Sequence, residues 1–259
     1  SSKTAYIRYQ NRYSDFCKLL DLKPFSKKSM ELWVSDMAAK GTKHASILSH
    51  ISAVKHYCLV HDMSIEFATP RLKLILRGIK NSEPRGSYKC RIVSHRELRR
   101  MVRLSTKCLG GRAGIRFNAI ISLAFFGLLR LGEYCVTRQK HHLLRRNLVL
   151  HSDKIELTFE TYKHSSSPVK VTLKKYKGIA CPIKCMRKYL KVYQQQPKMP
   201  LFEVSPSEFR RDFNDIRSFA HISDDITPHA LRRGGATWYS DNGWSDAKIR
   251  AHGRWASDV

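Results

Sequence analysis

One segment places a histidine and an arginine three residues apart at a predicted helix start: Thr227-Pro-His-Ala-Leu-Arg-Arg-Gly-Gly-Ala-Thr-Trp238. Thr227 is a favourable N-cap and Pro228 suits the first helical position, so His229 and Arg232 should share one face. Backbone N–H groups and the helix dipole favour a phosphate at such an end. The segment therefore predicts a phosphate site of imidazole and guanidinium; a capping histidine beside a solvated arginine is the alternative.

Two adjacent glycines, Gly234 and Gly235, follow within the same predicted helix. Each glycine costs about 1 kcal/mol relative to alanine inside a helix. A helix that carries this cost twice indicates that another stretch of backbone approaches it closely.

Two further segments accompany this one. A capped helix is predicted at Ser245-Asp-Ala-Lys-Ile-Arg250 and is followed by Gly253-Arg-Trp255, while an apolar helix ends in Phe126-Gly-Leu-Leu-Arg-Leu-Gly-Glu133. Together the three segments resemble the tyrosine recombinases, the phage-integrase-like family. The likeness is closest to the recombinases of crypton and DIRS-type mobile elements.

The resemblance implies a complete set of catalytic roles on residues of this chain. These are Arg130, Lys163, His229, Arg232 and Trp255, with Glu133 in support. Two guanidinium groups would clamp the phosphate, the histidine would donate a hydrogen bond or accept a proton, and the lysine, near a hairpin turn, would protonate the leaving oxygen. Trp255 would donate from its indole or pack against the site, and His252 is the alternative site histidine. The scheme needs no cofactor and no metal.

The reaction implied is site-specific DNA recombination, in which strands are cut and rejoined through a 3′-phosphotyrosyl intermediate during integration or excision of a mobile element. The family's nucleophilic tyrosine lies beyond the position of Trp255, and we expect it after Val259. The chain as given would then be truncated and inactive in cleavage. Tyr193 and Tyr239 fall outside the motif.

Charge points to the same class of partner. The 259 residues contain 48 Lys and Arg against 21 Asp and Glu, a net charge of +27 spread along the whole chain. Such a field concentrates polyanions and favours double-stranded DNA as partner, with a ribosomal or membrane-surface protein as the alternative. We expect a monomer in free solution that assembles into a tetrameric synapse on DNA, in the nucleus.

Cysteine usage and the absence of a signal core point to an intracellular protein. The seven cysteines suit reduced core residues, and the Cys181–Cys185 pair lacks a second element at zinc-finger spacing. The start of the chain has no apolar signal core, and no apolar run is long enough to span a membrane.

The pattern of apolar residues predicts two domains in a mainly α fold with a small antiparallel β-sheet (α+β). Residues 1–82 form a helical domain, which the resemblance assigns as the family's core-binding domain. Ser26 could cap its second helix, Thr42 or Ser46 starts the third, and the fourth follows Thr69-Pro70. Residues 83–91 form a linker, and residues 92–259 form the catalytic domain. That domain has a capping box at Ser94, helices over 95–105 and 117–129, strands over 155–159 and 169–173, and helices after Pro182.

Contacts to DNA outside the catalytic set are expected from six basic residues of the two domains: Lys43, His44, Lys55, Arg71, Arg233 and Arg254. Three other functions compete with recombination. A domesticated DNA-binding protein derived from such a recombinase keeps the fold without catalysis, a type IB topoisomerase shares the chemistry, and an RNA-binding protein would need an RNA motif that is not evident.

Overall fold

The computed structural model describes residues 2–63, 69–83, 91–138, 141–160 and 167–255. The chain forms two compact units, Ser1–Tyr88 and Lys89–Val259. Lys163 and most of the predicted linker lie outside the described residues. Within the described ranges, no helix combines the length and the apolar character needed to cross a membrane.

The described secondary structure of the N-terminal unit consists of four helices: α1 (Ser2–Leu19), α2 (Lys27–Ala39), α3 (His44–Val60) and α4 (Pro70–Ser82). Apolar side chains at three- and four-residue spacing meet in one core, which includes Tyr13, Met30, Trp33, Val34, Ile47 and Val54. Ser26 caps α2, as predicted, and Thr69 caps α4. α1 stops at Leu19, before the left-handed Asp21.

The predicted start of α3 is wrong. The N-cap is Lys43, which makes no side-chain cap hydrogen bond, in place of Thr42 or Ser46. Thr42 lies one residue before the N-cap, and its N–H donates to the Met37 carbonyl (2.9 Å), which closes the end of α2. Gly41, at φ +75°, makes the turn that this bond requires.

The C-terminal unit is mainly helical with a small antiparallel sheet, and the predicted fold class is confirmed. Its elements in chain order are α5 (His95–Cys108), α6 (Gly111–Phe126), α7 (Leu131–Tyr134), β1 (Leu148–Leu150), β2 (Lys154–Phe159), β3 (Val169–Lys174), α8 (Pro182–Val192), α9 (Pro206–Phe219), α10 (His229–Asp241) and α11 (Asp246–Gly253). Ser94 forms the predicted capping box with Glu97 at the start of α5.

The sheet has the order β1-β2-β3, and both pairings are antiparallel. The two predicted strands pair in a register that sets Leu157 opposite Val171 and Phe159 opposite Val169. Alternate residues are buried, as the sequence pattern predicts. β1 was not predicted because its three residues are too few to show a period of two.

Helix α6 is the centre of the C-terminal unit, since α5, α8 and α10 all pack against it. It runs over Gly111–Phe126, earlier at both ends than the predicted 117–129. Leu128 ends the helical path because it takes a left-handed conformation at φ +48°. The turn after α6 therefore delivers the Leu128 carbonyl and Arg130 to one side of the unit.

Helix α10 packs its backbone directly onto two neighbours, which confirms the prediction made from its glycine pair. A Cβ at Gly234 would lie 1.9 Å from the Val93 carbonyl oxygen, and one at Gly235 would lie 2.0 Å from the Phe125 carbonyl oxygen. The predicted Thr227 cap is wrong, because α10 begins at His229 after a helical Pro228, without a side-chain cap.

We expect Gly234→Ala and Gly235→Ala each to destabilise the protein by about 2 kcal/mol or more, because backbone atoms must move to admit the methyl group. Gly111→Ala is the matched control, since a Cβ there has no neighbour within 4 Å. Urea unfolding of the three variants measures the difference. Equal stability of the Gly111 and Gly234 variants would contradict the close packing.

Candidate active site

Arg130 and Glu133 are joined through the first turn of the short helix α7. The Glu133 carboxylate accepts the backbone N–H of Arg130 at 2.8 Å and its Nη1 at 3.2 Å. The Glu133 side chain is 4% exposed, and that of Arg130 is 21% exposed. A buried carboxylate therefore fixes both the backbone and the guanidinium of Arg130, and it leaves one edge of that guanidinium accessible.

Arg232 lies one turn into α10 and is almost completely buried. Its Nη1 donates to the Leu128 carbonyl and its Nη2 to the Gly253 carbonyl. The Trp255 ring covers the guanidinium, with Cζ 4.5 Å from the ring centroid. The turn after α6, helix α10 and the end of α11 thus converge on one side chain, and Trp255 packs on the site by a cation–π contact.

Arg254 was expected to contact DNA, but in the structure its guanidinium is buried inside the cluster, where it pairs with Glu133. Its side chain is 1% exposed and donates to Glu133 Oε2 at 2.9 Å and to the Leu128 carbonyl at 3.2 Å. The residue takes a left-handed conformation at φ +57°, which turns the side chain inward over the Phe159 ring. From sequence alone, an arginine is expected at the surface. The signal that Arg254 belongs to the site is its position between Gly253 and Trp255, inside the matched motif.

The three arginines and one glutamate leave an excess of two positive charges in a largely buried cluster. Burial, together with the nearby Arg130 and Arg254, lowers the pKa of Arg232 to about 9. Guanidinium stays protonated at neutral pH even so, and the shift expresses the unfavourable free energy of the uncompensated charge. Contacts with the described residues use two of the five N–H donors of Arg130 and two of those of Arg232. The cluster is suited to a doubly negative oxyanion.

His229 opens α10 beside these arginines, with its side chain exposed. Desolvation lowers its pKa, and the positive charges of Arg233, Arg232 and Arg130 lower it further. The imidazole is therefore neutral at physiological pH, so it is able to donate or accept one proton. The structure brings His229, Arg130, Arg232, Glu133 and Trp255 to one end of the C-terminal unit.

His252, the alternative site histidine, is held elsewhere. Its Nε2 bonds to the Phe126 carbonyl at 2.8 Å, and its ring packs edge-on against Tyr239 and Trp244. Burial lowers its pKa to about 4, so the neutral form with a proton on Nε2 fits the contact. Tyr239 is buried and donates to the same carbonyl at 2.8 Å, which leaves its hydroxyl unsuited to attack.

The other predicted DNA contacts stay predictions. Lys43, Lys55 and Arg71 are exposed, and Arg71 Nε lies 3.4 Å from Glu31. The backbone N–H of His44 bonds to Glu83, and Arg233 donates to the Arg91 carbonyl at 2.8 Å. Lys163 falls outside the described residues, although β2, which leads toward it, touches the cluster through Phe159.

Comparison with known families identifies this arrangement. Residues 91–258 match the Phage integrase family, which is more than half of the chain and includes every described residue of the cluster. The chain belongs to the phage integrase family. A comparison with curated proteins gives no match.

Solved structures share the fold across both units. The Tn1549 transposon integrase in complex with transposon right end DNA matches at TM-score 0.64 and 12% identity, over 96% of this chain and 85% of that one. XerH recombinase bound to difH in a post-cleavage complex matches at TM-score 0.61 and 14% identity, over 90% of this chain and 66% of that one. A lambda integrase dimer bound to a COC′ core site matches at TM-score 0.60 and 16% identity, over 99% of this chain and 96% of that one. At these identities the likeness shows the fold.

We expect Glu133→Gln to cost about 3 kcal/mol of folding stability, because it leaves buried guanidinium groups without their carboxylate. Glu160→Gln is the matched control. Its pair with Arg146 is about half exposed on both sides and should contribute less than about 1 kcal/mol. Urea unfolding at moderate ionic strength compares the two variants. Similar losses would show that the Glu133 cluster is no more coupled to folding than a surface ion pair.

Proposed function

We propose that the chain is a site-specific DNA recombinase that cuts and rejoins strands through a 3′-phosphotyrosyl intermediate. Membership of the phage integrase family implies strand cleavage and rejoining. The observation that carries the proposal is the buried cluster of Arg130, Arg232 and Arg254 around Glu133, with its excess of two positive charges. A pentavalent phosphate in the transition state carries a matching negative charge.

The described residues of the cluster fall into two groups, those that would bind the phosphate and those that would keep the first group in place. Arg130 and Arg232 have N–H donors that no described residue accepts, and these would bind the non-bridging oxygens of the scissile phosphate. Arg254 and Glu133 form hydrogen bonds inside the cluster and would keep those two guanidinium groups in place. His229 would hydrogen-bond to the phosphate or take the proton of the attacking hydroxyl.

The complete reaction needs two groups beyond this cluster. A tyrosine hydroxyl would attack phosphorus in line, and its proton would pass to a base. The 5′-oxygen would leave with a proton from Lys163, the role that the family resemblance gives this residue. The 3′-phosphate would then remain bonded to the tyrosine, and attack by a 5′-hydroxyl would reverse the step.

Duplex DNA is the proposed partner. The solved relatives include an integrase bound to transposon DNA and a recombinase bound to its difH site, and the net charge of +27 suits the same partner here. The helix over His229–Trp238, the Ser245–Arg250 helix and the Gly253-Arg-Trp255 motif resemble those of crypton and DIRS-type elements, and we propose that the chain comes from such an element, which it would integrate or excise in the nucleus. Strand exchange would take place in a tetrameric synapse formed by monomers that assemble on DNA.

A domesticated DNA-binding protein of the same origin is the second candidate. It would keep the basic surface, but binding alone gives no reason to bury three arginines around one carboxylate at a cost in stability. A retained cluster of this kind favours catalysis.

The decisive experiment supplies an activated 3′-phosphate, so that the enzyme's tyrosine is not needed. Duplex DNA with a 3′-p-nitrophenyl phosphate beside an incoming 5′-hydroxyl strand joins by attack of that hydroxyl on phosphorus, with release of nitrophenolate. Candidate element termini are the substrates. We expect joining by the wild-type protein and a loss of at least about 100-fold in Arg130→Lys and Arg232→Lys, which keep the charge but lose the forked donors.

Arg211→Lys is the matched control, because Arg211 is exposed and pairs with Asp212 on α9. Joining at the wild-type rate is expected there. DNA binding without joining in the wild-type protein would favour the domesticated DNA-binding protein. Joining that survives both active-site substitutions would contradict the proposed roles of Arg130 and Arg232.

A further inference from the structure

Helix α5 carries four arginines on its exposed face, away from the buried Leu98, Met101 and Val102. They are Arg96, Arg99, Arg100 and Arg103, and we call them the α5 basic ridge. Their positions recur at three- and four-residue steps, so the guanidinium groups line one side of the helix over about 10 Å of its axis.

The ridge has no counter-charge within the described chain. Among the residues that the structure describes, none of these four arginines pairs with a carboxylate, although other arginines of the same unit do so, as in Arg116 with Glu208. Glu97, on the same helix, is occupied by the capping box at Ser94. Like charges at three- and four-residue spacing repel, so the ridge destabilises the helix that bears it.

The positive surface continues onto a second helix. Arg103 lines a cleft of about 420 Å³ together with Lys184 and Lys188 of α8, and the cleft floor includes Ile115 and Asn118 of α6. Two elements that are distant in sequence therefore present their cations to a common space. If the arginines of α5 were only solvated, nothing would require them to share a cleft with the lysines of α8.

The ridge begins at the active-site end of the unit and leads away from it. His95, at the start of α5, lies 5.8 Å from Trp238 and 6.1 Å from Phe126, ring centroid to ring centroid. Farther along, Ser105 Oγ donates to Asn118 at 2.7 Å, toward the opposite end of α6. A polyanion that reaches the arginine cluster has the ridge as a continuation of positive charge.

We propose that the α5 basic ridge, extended by Lys184 and Lys188, binds the phosphate backbone of duplex DNA outside the phosphodiester that reacts. The identity of this polyanion rests on the proposed function. Over its length of about 10 Å the ridge spans about three phosphates of one strand, which are spaced about 3.4 Å apart along the duplex axis. Guanidinium groups suit phosphate oxygens, and contacts of this kind add affinity and carry no sequence preference.

The test replaces the ridge with glutamines at once, in Arg96→Gln, Arg99→Gln, Arg100→Gln and Arg103→Gln. A dispersed variant removes the same charge from four other exposed residues: Lys191→Gln, Lys198→Gln, Arg210→Gln and Arg211→Gln. Binding of a mixed-sequence DNA duplex is measured across a salt series. We expect about a 30-fold or greater loss of affinity for the ridge variant and a salt slope shallower by about three, against about threefold or less for the dispersed variant.

Thermal unfolding at low salt supplies a second readout. Because like charges are removed, the ridge variant should be at least as stable as the wild type while it binds DNA more weakly, and this would exclude misfolding as the cause. Equal losses of affinity for duplex DNA in the two variants would overturn the proposal. Absence of joining in the wild-type protein would count against the proposed recombinase and leave this affinity comparison intact.

Discussion

The Glu133 carboxylate is the interaction on which the rest of the site depends. It accepts the Arg130 backbone N–H, the Arg130 guanidinium and the Arg254 guanidinium while almost completely buried. Desolvated ions are unfavourable unless they are paired and hydrogen-bonded. The burial of three arginines in one place therefore depends on a single carboxylate. Its position at the third residue of α7 follows from the turn after α6, which brings Arg130 to the start of that helix.

Two turns in left-handed conformations are the local consequence of this constraint. Leu128 and Arg254 both take positive φ, which costs a non-glycine residue roughly 1 kcal/mol or more. The Leu128 carbonyl accepts from Arg232 and also from Arg254, and so joins the two guanidinium groups that α10 and the end of α11 supply. The strain at both turns is offset because the backbone carbonyls there accept hydrogen bonds from the buried guanidinium groups. Strain that clusters beside titratable groups in this way is typical of functional sites.

Local rules predicted much of the fold. Period and capping gave the helices that begin after Ser26, Thr69 and Ser94, alternation gave β2 and β3, and the glycine pair gave the close approach of α10. Failures occurred where a distant contact decides a local outcome. Thr42 closes the end of α2 through its N–H bond to Met37, and α3 starts one residue later than a Thr42 cap would place it, while β1 is defined by its pairing with β2. At the site, motif spacing located Arg130, His229 and Arg232, but nothing local shows that Arg254 turns inward.

Arg254 and the α5 basic ridge show why residue type alone does not locate an arginine. Arg254 is buried because a desolvated carboxylate and three backbone carbonyls lie within reach of its guanidinium. The ridge arginines stay in solvent because, within the described part of the chain, no carboxylate lies close enough to balance them. The chain has 48 basic and 21 acidic residues, so its carboxylates are too few to balance most of its arginines and lysines. The net charge therefore indicates a polyanion as partner, while the position of each acidic residue decides which cations remain available to bind it.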